Sequence, residues 1–128
     1  MKTLCLNGKV FSGKGGGAKF ITLDWVKQQI EEKLGFVPFT GTLNIKLTED
    51  SVKLRQLMDK ANSTEITPAK DFCRGKCFKA FIIDLKCAVI IPEVAGYPEN
   101  VVEIIAPANL RERFKLKDGD NVEVKVFL

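Results

Sequence analysis

Two neutral oxygen donors, the hydroxyl of Thr42 and the side-chain amide of Asn44, stand two residues apart in the alternating stretch 41–47. Because side chains alternate along a strand, such a pair shares one face, about 7 Å apart along the axis. Hydroxyl and amide oxygens suit a hard cation such as Mg²⁺, provided that phosphates and waters complete its coordination. The pair indicates either part of a magnesium site or the solvated face of an edge strand, and by itself favours the second.

A glycine-rich stretch supplies a second candidate site, because bare backbone amides flanked by lysines suit a phosphate group. It consists of Gly13, Lys14, Gly15, Gly16, Gly17 and Ala18. The Walker pattern fails, since Ala18 and Phe20 occupy positions that need glycine and serine or threonine. The dinucleotide pattern needs a helix to follow directly, whereas residues 19–23 have strand character. The stretch is therefore either a phosphate-binding loop or an ordinary flexible loop.

A single carboxylate, Glu103, interrupts the apolar strand expected over 101–106. A glutamate among β-branched residues either faces solvent or is directed at a site, and solvent is the commoner case. Pro107 then suits the first turn of a short helix over 108–114. The other predicted elements are strands over 3–12, 65–72, 78–85, 87–91 and 121–128 and helices over 24–34 and 48–61.

Local signals also predict where elements begin and bend. The dipeptide Asn7-Gly8 indicates a turn or bulge inside the first strand. Asp24 is a favourable N-terminal cap for the first helix, and Asp50 or Ser51 is expected to cap the second.

The chain of 128 residues is long enough for one domain with a sizeable core, and its 45% hydrophobic and 28% charged content is ordinary for a globular protein. No apolar run reaches the roughly 18 residues that a membrane-spanning helix needs. The apolar stretch at the N-terminus is too short for a signal peptide. We therefore expect a cytoplasmic protein without a membrane partner, and we take it to be a monomer.

The net charge of +4 is concentrated near the N-terminus. Residues 1–23 carry four lysines and no acidic residue, and the rest of the chain holds 16 basic and 16 acidic residues. A local excess around a glycine-rich stretch favours a confined anion site over a broad nucleic-acid surface. We therefore expect no nucleic-acid partner.

Four cysteines, Cys5, Cys73, Cys77 and Cys87, leave three chemical states open. Free thiols are the first expectation in a reducing compartment. A disulfide across the turn between Cys73 and Cys77 comes second. A zinc site comes last, because the chain has no second matching cysteine pair and no histidine.

Three segments, residues 8–15, 34–47 and 103–120, together resemble the archaeal CTP-dependent riboflavin kinases, in an order and spacing that chance does not readily produce. That family has a cradle-loop barrel fold. The resemblance therefore implies one mostly β domain over residues 1–128, built as a six-stranded, swapped-hairpin-like β-barrel with short helices.

The resemblance also implies a reaction. The γ-phosphate of CTP would pass to the 5′-hydroxyl of riboflavin, giving FMN and CDP, with Mg²⁺ as the metal. Thr42 and Asn44 would ligate Mg²⁺, while the loop from Gly13 to Ala18 would hold the phosphates. Glu103 would lie at the flavin and, in a chain without histidine, is the nominated base or substrate orienter.

Nucleotide choice and a further flavin contact would fall to two other segments. The resemblance implies that the cytidine is framed by Leu110, Arg111, Glu112 and Arg113. A family threonine that contacts FMN has no counterpart here, because Ala95 stands in the matching loop, with Tyr97 as a candidate substitute.

Two non-catalytic alternatives stay open. Swapped-hairpin barrels include transcription factors that bind DNA as dimers, and the N-terminal lysines would contact phosphates there. A steeply salt-dependent affinity for duplex DNA would identify that class. A flavin- or nucleotide-binding carrier without catalysis is the other alternative, and turnover separates it from a kinase.

Overall fold

The computed structural model describes residues 3–13, 21–59, 64–66, 75–92 and 96–128. Within these ranges the strands are β1 (Thr3–Phe11), β2 (Leu43–Leu47), β3 (Thr64–Ile66), β4 (Gly75–Ile82), β5 (Leu85–Pro92), β6 (Val101–Ile105) and β7 (Asn121–Phe127). The helices there are α1 (Asp24–Leu34), α2 (Glu49–Met58) and α3 (Leu110–Arg113). No helix in the described ranges is both long and apolar enough to cross a membrane.

Six of the strands close into an antiparallel barrel, which confirms the predicted architecture. Their order around the ring is β4, β5, β6, β2, β1 and β7, and β7 returns to β4 with Ala80 opposite Val126 and Phe81 opposite Lys125. β3 pairs with the first part of β4 and lies outside the ring. Closure gives each ring strand a hydrogen-bonded neighbour on both sides.

The barrel interior is filled by every second side chain of the strands, because successive residues point to opposite faces. These interior residues include Leu6, Val10, Leu43, Ile45, Leu47, Val102, Ile104, Val122, Val124 and Val126. Met58 of α2 and Leu110 of α3 belong to the same cluster. The two helices follow the C-terminal ends of β2 and β6, which are antiparallel neighbours, so they close opposite ends of the barrel.

Helix α1 covers part of the outer surface of the barrel, over β5 and β6. Its apolar stripe, Val26, Ile30 and Leu34, is buried and packs in one cluster with Ile105 of β6. Because β6 is covered on both faces there, its outward residues are shielded from water as well as its inward ones. Glu103 lies two residues before Ile105 and therefore shares this outer face.

Both predicted N-terminal caps are wrong. Helix α1 is preceded by Leu23, whose backbone carbonyl accepts the first hydrogen bonds, and Asp24 is already helical. Helix α2 is capped by Thr48, whose Oγ1 accepts from the N–H of Ser51 at 3.3 Å. The hydroxyl of Ser51 is engaged elsewhere, since it accepts from the N–H of Asn7 at 2.8 Å. Asp50 and Ser51, the predicted caps, both lie inside the helix.

The predicted turn or bulge at Asn7-Gly8 is also wrong, because β1 continues through it with unbroken pairing. Gly8 pairs with Leu47 of β2 on one side and with Val122 of β7 on the other. A Cβ atom at Gly8 would clash with the backbone carbonyl of Lys46. The glycine therefore permits a close approach of β1 to β2.

The β4–β5 hairpin turns earlier than predicted. β4 ends at Ile82, and Ile83 with Asp84 forms the turn before β5. The strands predicted over 78–85 and 87–91 leave only Lys86 between them, but Lys86 pairs with Phe81 inside the hairpin. Of the strand predicted over 65–72, the structure describes only the part within β3, and Cys73 lies outside the described residues.

The described cysteines differ in exposure, and this predicts their reactivity. Cys77 and Cys87 are free and buried, whereas Cys5 is free and exposed. Burial raises the pKa of Cys77 and Cys87 from 9.0 to about 12, so both stay protonated well above neutral pH. We expect iodoacetamide at about pH 8 to alkylate Cys5 in the native chain and to spare the two buried thiols, as read by peptide mass mapping.

Unfolding supplies the control, since Cys77 and Cys87 should react as Cys5 does in urea. The raised pKa values of Cys77 and Cys87 also predict how the free energy of unfolding depends on pH. The two buried thiols contribute to it below about pH 9, and this contribution is lost as the pH rises towards 12. Fast native alkylation of Cys77 would contradict its burial beneath α1.

Candidate active site

The predicted site residues meet where β1, β2 and β6 run side by side. Asn44 lies opposite Phe11 of β1 on one side and opposite Glu103 of β6 on the other. Leu43 and Ile45 point into the barrel, so Asn44 points outward, as Glu103 does. The barrel register therefore makes Asn44 and Glu103 lateral neighbours on one outer face.

Glu103 is a buried carboxylate that accepts hydrogen bonds from two hydroxyl groups. It is 6% exposed. Its Oε1 accepts from the Thr42 hydroxyl at 2.9 Å and its Oε2 accepts from the Tyr97 phenol at 2.8 Å. Burial, together with the adjacent carboxylate, raises the pKa of Tyr97 well above its usual value, so the phenol remains a donor. The commoner expectation, a solvent-facing glutamate, is wrong for Glu103.

Thr42 reaches this cluster from just before β2, which begins at Leu43. It was expected inside the strand, on the same face as Asn44. Its hydroxyl still lies on that side, because it donates to Glu103, the register partner of Asn44. The structure therefore brings the hydroxyl, the amide and the carboxylate into one cluster.

The backbone at Gly13 passes directly over the side chain of Asn44. A Cβ atom on Gly13 would lie 2.7 Å from Nδ2 of Asn44 and 2.8 Å from its Oδ1. This proximity places the first residue of the glycine-rich stretch at the predicted metal ligand. The other residues of that stretch, Lys14, Gly15, Gly16, Gly17 and Ala18, lie outside the described residues, as does Ala95.

A mostly apolar cavity of about 170 Å³ opens beside the polar cluster. It is lined by Phe39, Gly41, Thr42, Leu43, Ile104, Ala106, Ala108, Asn109, Leu110 and Arg111. Thr42 belongs to both the cavity and the polar cluster, so the two are continuous at its side chain. This arrangement suits a ligand with a flat, weakly polar end and a charged end.

Helix α3 contributes its first two residues to the cavity. Leu110 is buried and Arg111 is partly buried, whereas Glu112 is exposed and does not line the cavity. Nη2 of Arg113 lies 3.9 Å from Oδ1 of Asp84 in the β4–β5 turn. The structure therefore brings two of the four predicted cytidine residues to the cavity and directs Arg113 elsewhere.

Arg111 is held by Asp118, a residue for which the sequence patterns predict no role. Nη2 of Arg111 donates to Oδ1 of Asp118 at 2.8 Å and to the carbonyl of Phe11 at 3.3 Å. The Ser12 hydroxyl donates to the same carboxylate at 2.8 Å. The hydrogen bond from Arg111, and after it the one from Ser12, lower the pKa of Asp118. They tie α3 to the end of β1, where the glycine-rich stretch begins.

Tyr97 is the other residue whose position sequence reasoning did not reach. It appeared only as a candidate substitute for a missing threonine. An aromatic residue in a proline- and glycine-containing loop carries no signal of its partner. Its hydrogen bond to Glu103 depends on how residues 96–100 fold back over β6.

The donor set at this cluster fits a cation that takes most of its ligands from elsewhere. Thr42 and Asn44 offer neutral oxygens, and the Glu103 carboxylate is bonded to Thr42. Across the residues that the structure describes, no group of three or more His, Cys, Asp or Glu side chains forms a metal cage. A magnesium ion already bound to phosphates and waters matches such a site.

A family model and several relatives of known name match most of the chain. The family model CTP-dep_RFKase, described as "Domain of unknown function DUF120", matches residues 10–126. A riboflavin kinase of Methanosarcina barkeri is 42% identical over 125 residues, covering 94% of this chain and 56% of the relative. One of Pyrobaculum aerophilum is 45% identical over 127 residues, covering 96% and 60%. One of Methanospirillum hungatei is 40% identical over 131 residues, covering 99% and 59%.

The chain spans between 56% and 60% of the length of these three relatives. The matched residues 10–126 contain the whole polar cluster and every residue that lines the cavity. The family match thus includes the residues that form the site and most of those that form the barrel, with residues 3–9 of β1 outside the match. On this agreement over nearly its whole length, the chain belongs to the family of CTP-dependent riboflavin kinases.

Proposed function

We propose that the chain is a CTP-dependent riboflavin kinase, which transfers the γ-phosphate of CTP to the 5′-hydroxyl of riboflavin and releases FMN and CDP. The observation that carries this proposal is the continuity of the cavity with the polar cluster at Thr42. A nucleotide has the same division, a flat base at one end and charged phosphates at the other. With the base in the cavity, the phosphates would extend over Thr42 towards Asn44 and Gly13.

The polar cluster suits the needs of phosphoryl transfer, which are in-line positioning and neutralisation of charge on the γ-phosphate. Thr42 and Asn44 would hold Mg²⁺, which supplies positive charge to the phosphates when bound. Gly13 begins the stretch whose backbone amides, with Lys14, would bind the same phosphates. The close approach of Gly13 to Asn44 supports this arrangement, because Gly13 is the first residue of that stretch and lies beside the proposed metal ligand.

Leu110 and Arg111 are the residues that we propose to contact the cytosine. Leu110 offers an apolar surface, and Arg111 offers N–H donors that match the carbonyl oxygen and the ring nitrogen acceptor of cytosine. Asp118 restrains the guanidinium, so fewer rotamers are lost when the base binds. Glu112 and Arg113 have weaker support, because their side chains do not line the cavity.

Glu103 would lie beside the 5′-hydroxyl of riboflavin. A carboxylate has about four lone-pair positions, so it has acceptor capacity beyond the two bonds from Thr42 and Tyr97. It would either orient the substrate hydroxyl or accept its proton. Tyr97 is the polar side chain that the neighbouring loop brings to this place.

Incubation of the chain with riboflavin, Mg²⁺ and one nucleoside triphosphate at a time tests the proposal. We expect chromatography to show FMN with CTP, and little or none with ATP, GTP or UTP. Because the relatives are longer, a positive result with this chain assigns the activity to it directly. Glu123→Gln, an exposed carboxylate on β7, is the control and should keep full activity.

The absence of FMN from CTP would overturn the proposal. Stoichiometric binding of riboflavin or CTP without turnover would identify the carrier alternative instead. Affinity for duplex DNA that falls steeply with salt, without flavin binding, would identify the DNA-binding alternative.

A further inference from the structure

Glu103 bridges two hydroxyl donors that come from different parts of the chain. Thr42, just before β2, donates to Oε1 at 2.9 Å, and Tyr97, before β6, donates to Oε2 at 2.8 Å. The carboxylate is 6% exposed, so water has little access to compete for these bonds. The three side chains form a continuous link from Tyr97 through Glu103 to Thr42.

This link sets the direction of the Thr42 hydroxyl hydrogen. A hydroxyl has one hydrogen and two lone pairs, and without a partner it rotates freely. It binds a cation only through a lone pair, so a hydrogen pointing at the cation opposes binding. Because Thr42 donates its hydrogen to Glu103, the lone pairs of Oγ1 point away from the carboxylate and can accept a cation there.

The segment that carries Tyr97 is held in place by α2 and β2. Arg55 of α2 is 9% exposed and donates from Nη1 to the carbonyl of Glu99 at 2.7 Å. The N–H of Leu47 donates to the carbonyl of Asn100 at 2.7 Å. The phenol is therefore positioned by the fold itself, independently of any ligand.

We propose that Tyr97 and Glu103 are positioning residues for Thr42: Tyr97 holds the Glu103 carboxylate, and Glu103 holds the Thr42 hydroxyl with its oxygen open to nucleotide-bound Mg²⁺. The inference rests on the proposed function, since it takes Thr42 as a ligand of that ion. Outer partners of this kind orient a metal ligand, and their loss changes metal affinity by about 10- to 100-fold. Tyr97 acts through Glu103 and needs no contact with the substrate.

Calorimetric titration with CDP tests the inference without catalysis, once in Mg²⁺ and once in EDTA. Tyr97→Phe removes only the phenolic oxygen, and we expect CDP to bind about tenfold more weakly in Mg²⁺ and unchanged in EDTA. Glu103→Gln places an amide where two donors need an acceptor, and should weaken binding in Mg²⁺ by about 30-fold. Glu123→Gln makes the same chemical change on an exposed face of β7 and should bind as wild type does.

A double variant separates positioning of Thr42 from a general effect of Tyr97. In a Thr42→Val background the hydroxyl is already absent, so adding Tyr97→Phe should weaken Mg²⁺-dependent CDP binding by less than about twofold further. The same tenfold loss in that background would overturn the inference. Equal melting temperatures for Tyr97→Phe and wild type would show that the loss does not come from unfolding.

Failure of the inference is distinguishable from failure of the proposed function. If CDP binding by the wild-type chain does not depend on Mg²⁺, the proposed metal site fails, and the positioning role fails with it. If the wild-type chain makes FMN and binds CDP in a Mg²⁺-dependent way, yet Tyr97→Phe binds CDP equally well, the kinase proposal stands and the positioning role is overturned.

Discussion

Asn44→Ala is expected to lower kcat/KM for FMN formation by about 100-fold. Loss of a residue that only orients a metal ligand costs up to about 100-fold, and loss of a proposed ligand should cost at least as much. Asn44 points outward, away from the interior packing of Leu43 and Ile45, so its amide contributes little to the core. The free energy of unfolding should therefore change by less than about 1 kcal/mol. Steady-state FMN formation from CTP and urea unfolding measure the two quantities on the same preparation.

Lys46→Ala is the matched control for this variant. Lys46 lies two residues further along β2, on the same outward side, and is exposed. It should leave both turnover and stability close to wild type. Normal turnover of Asn44→Ala together with a large loss of stability would contradict the proposed role, because it would make Asn44 a structural residue.

Gly13→Ala is expected to reduce kcat/KM for CTP by roughly 30-fold, because misplacing a catalytic group by about 1 Å can alter rates by about 100-fold. The new methyl group would lie 2.7 Å from Nδ2 of Asn44, which is closer than atoms of this kind can pack. The end of the Asn44 side chain can move away, so the fold should persist while the amide leaves its position. Initial rates at varied CTP concentration measure the effect.

Combining the two substitutions tests whether Gly13 acts through Asn44. In an Asn44→Ala background the amide that the new methyl group displaces is absent. Gly13→Ala should then add less than about threefold to the loss, whereas independent effects would multiply to about 3,000-fold. Multiplying losses would show that Gly13 contributes by another route, such as binding phosphate through its own backbone.

The local patterns predict those parts of the fold that depend on near neighbours in the chain. The alternation of Leu43, Ile45 and Leu47 predicts the inward face of β2, and the structure confirms it. The stripe of α1 is likewise read from a period of 3.6 residues. The cap of α2 is predicted wrongly: Thr48 caps the helix, and the Ser51 hydroxyl accepts from the backbone of Asn7, 44 residues earlier.

The amino-acid sequence specifies which side chains are available to the site: a hydroxyl and an amide two residues apart, a glycine-rich stretch, and one carboxylate in an apolar strand. It also determined the family, because the order and spacing of these segments are properties of the chain. The barrel could be predicted through that resemblance. The pairing of β7 with β4 that closes it is a contact that local alternation does not specify.

How these side chains are arranged depends on contacts that form in the folded barrel. The fold brings Glu103 within hydrogen-bonding distance of Tyr97 and Gly13 into contact with Asn44. It also brings Arg111 to the cavity, whereas Arg113 lies near Asp84 in the β4–β5 turn. These contacts join segments that are far apart in the chain or depend on how a loop folds back over a strand. Local propensities act over a few residues, so ring closure and packing alone settle such contacts.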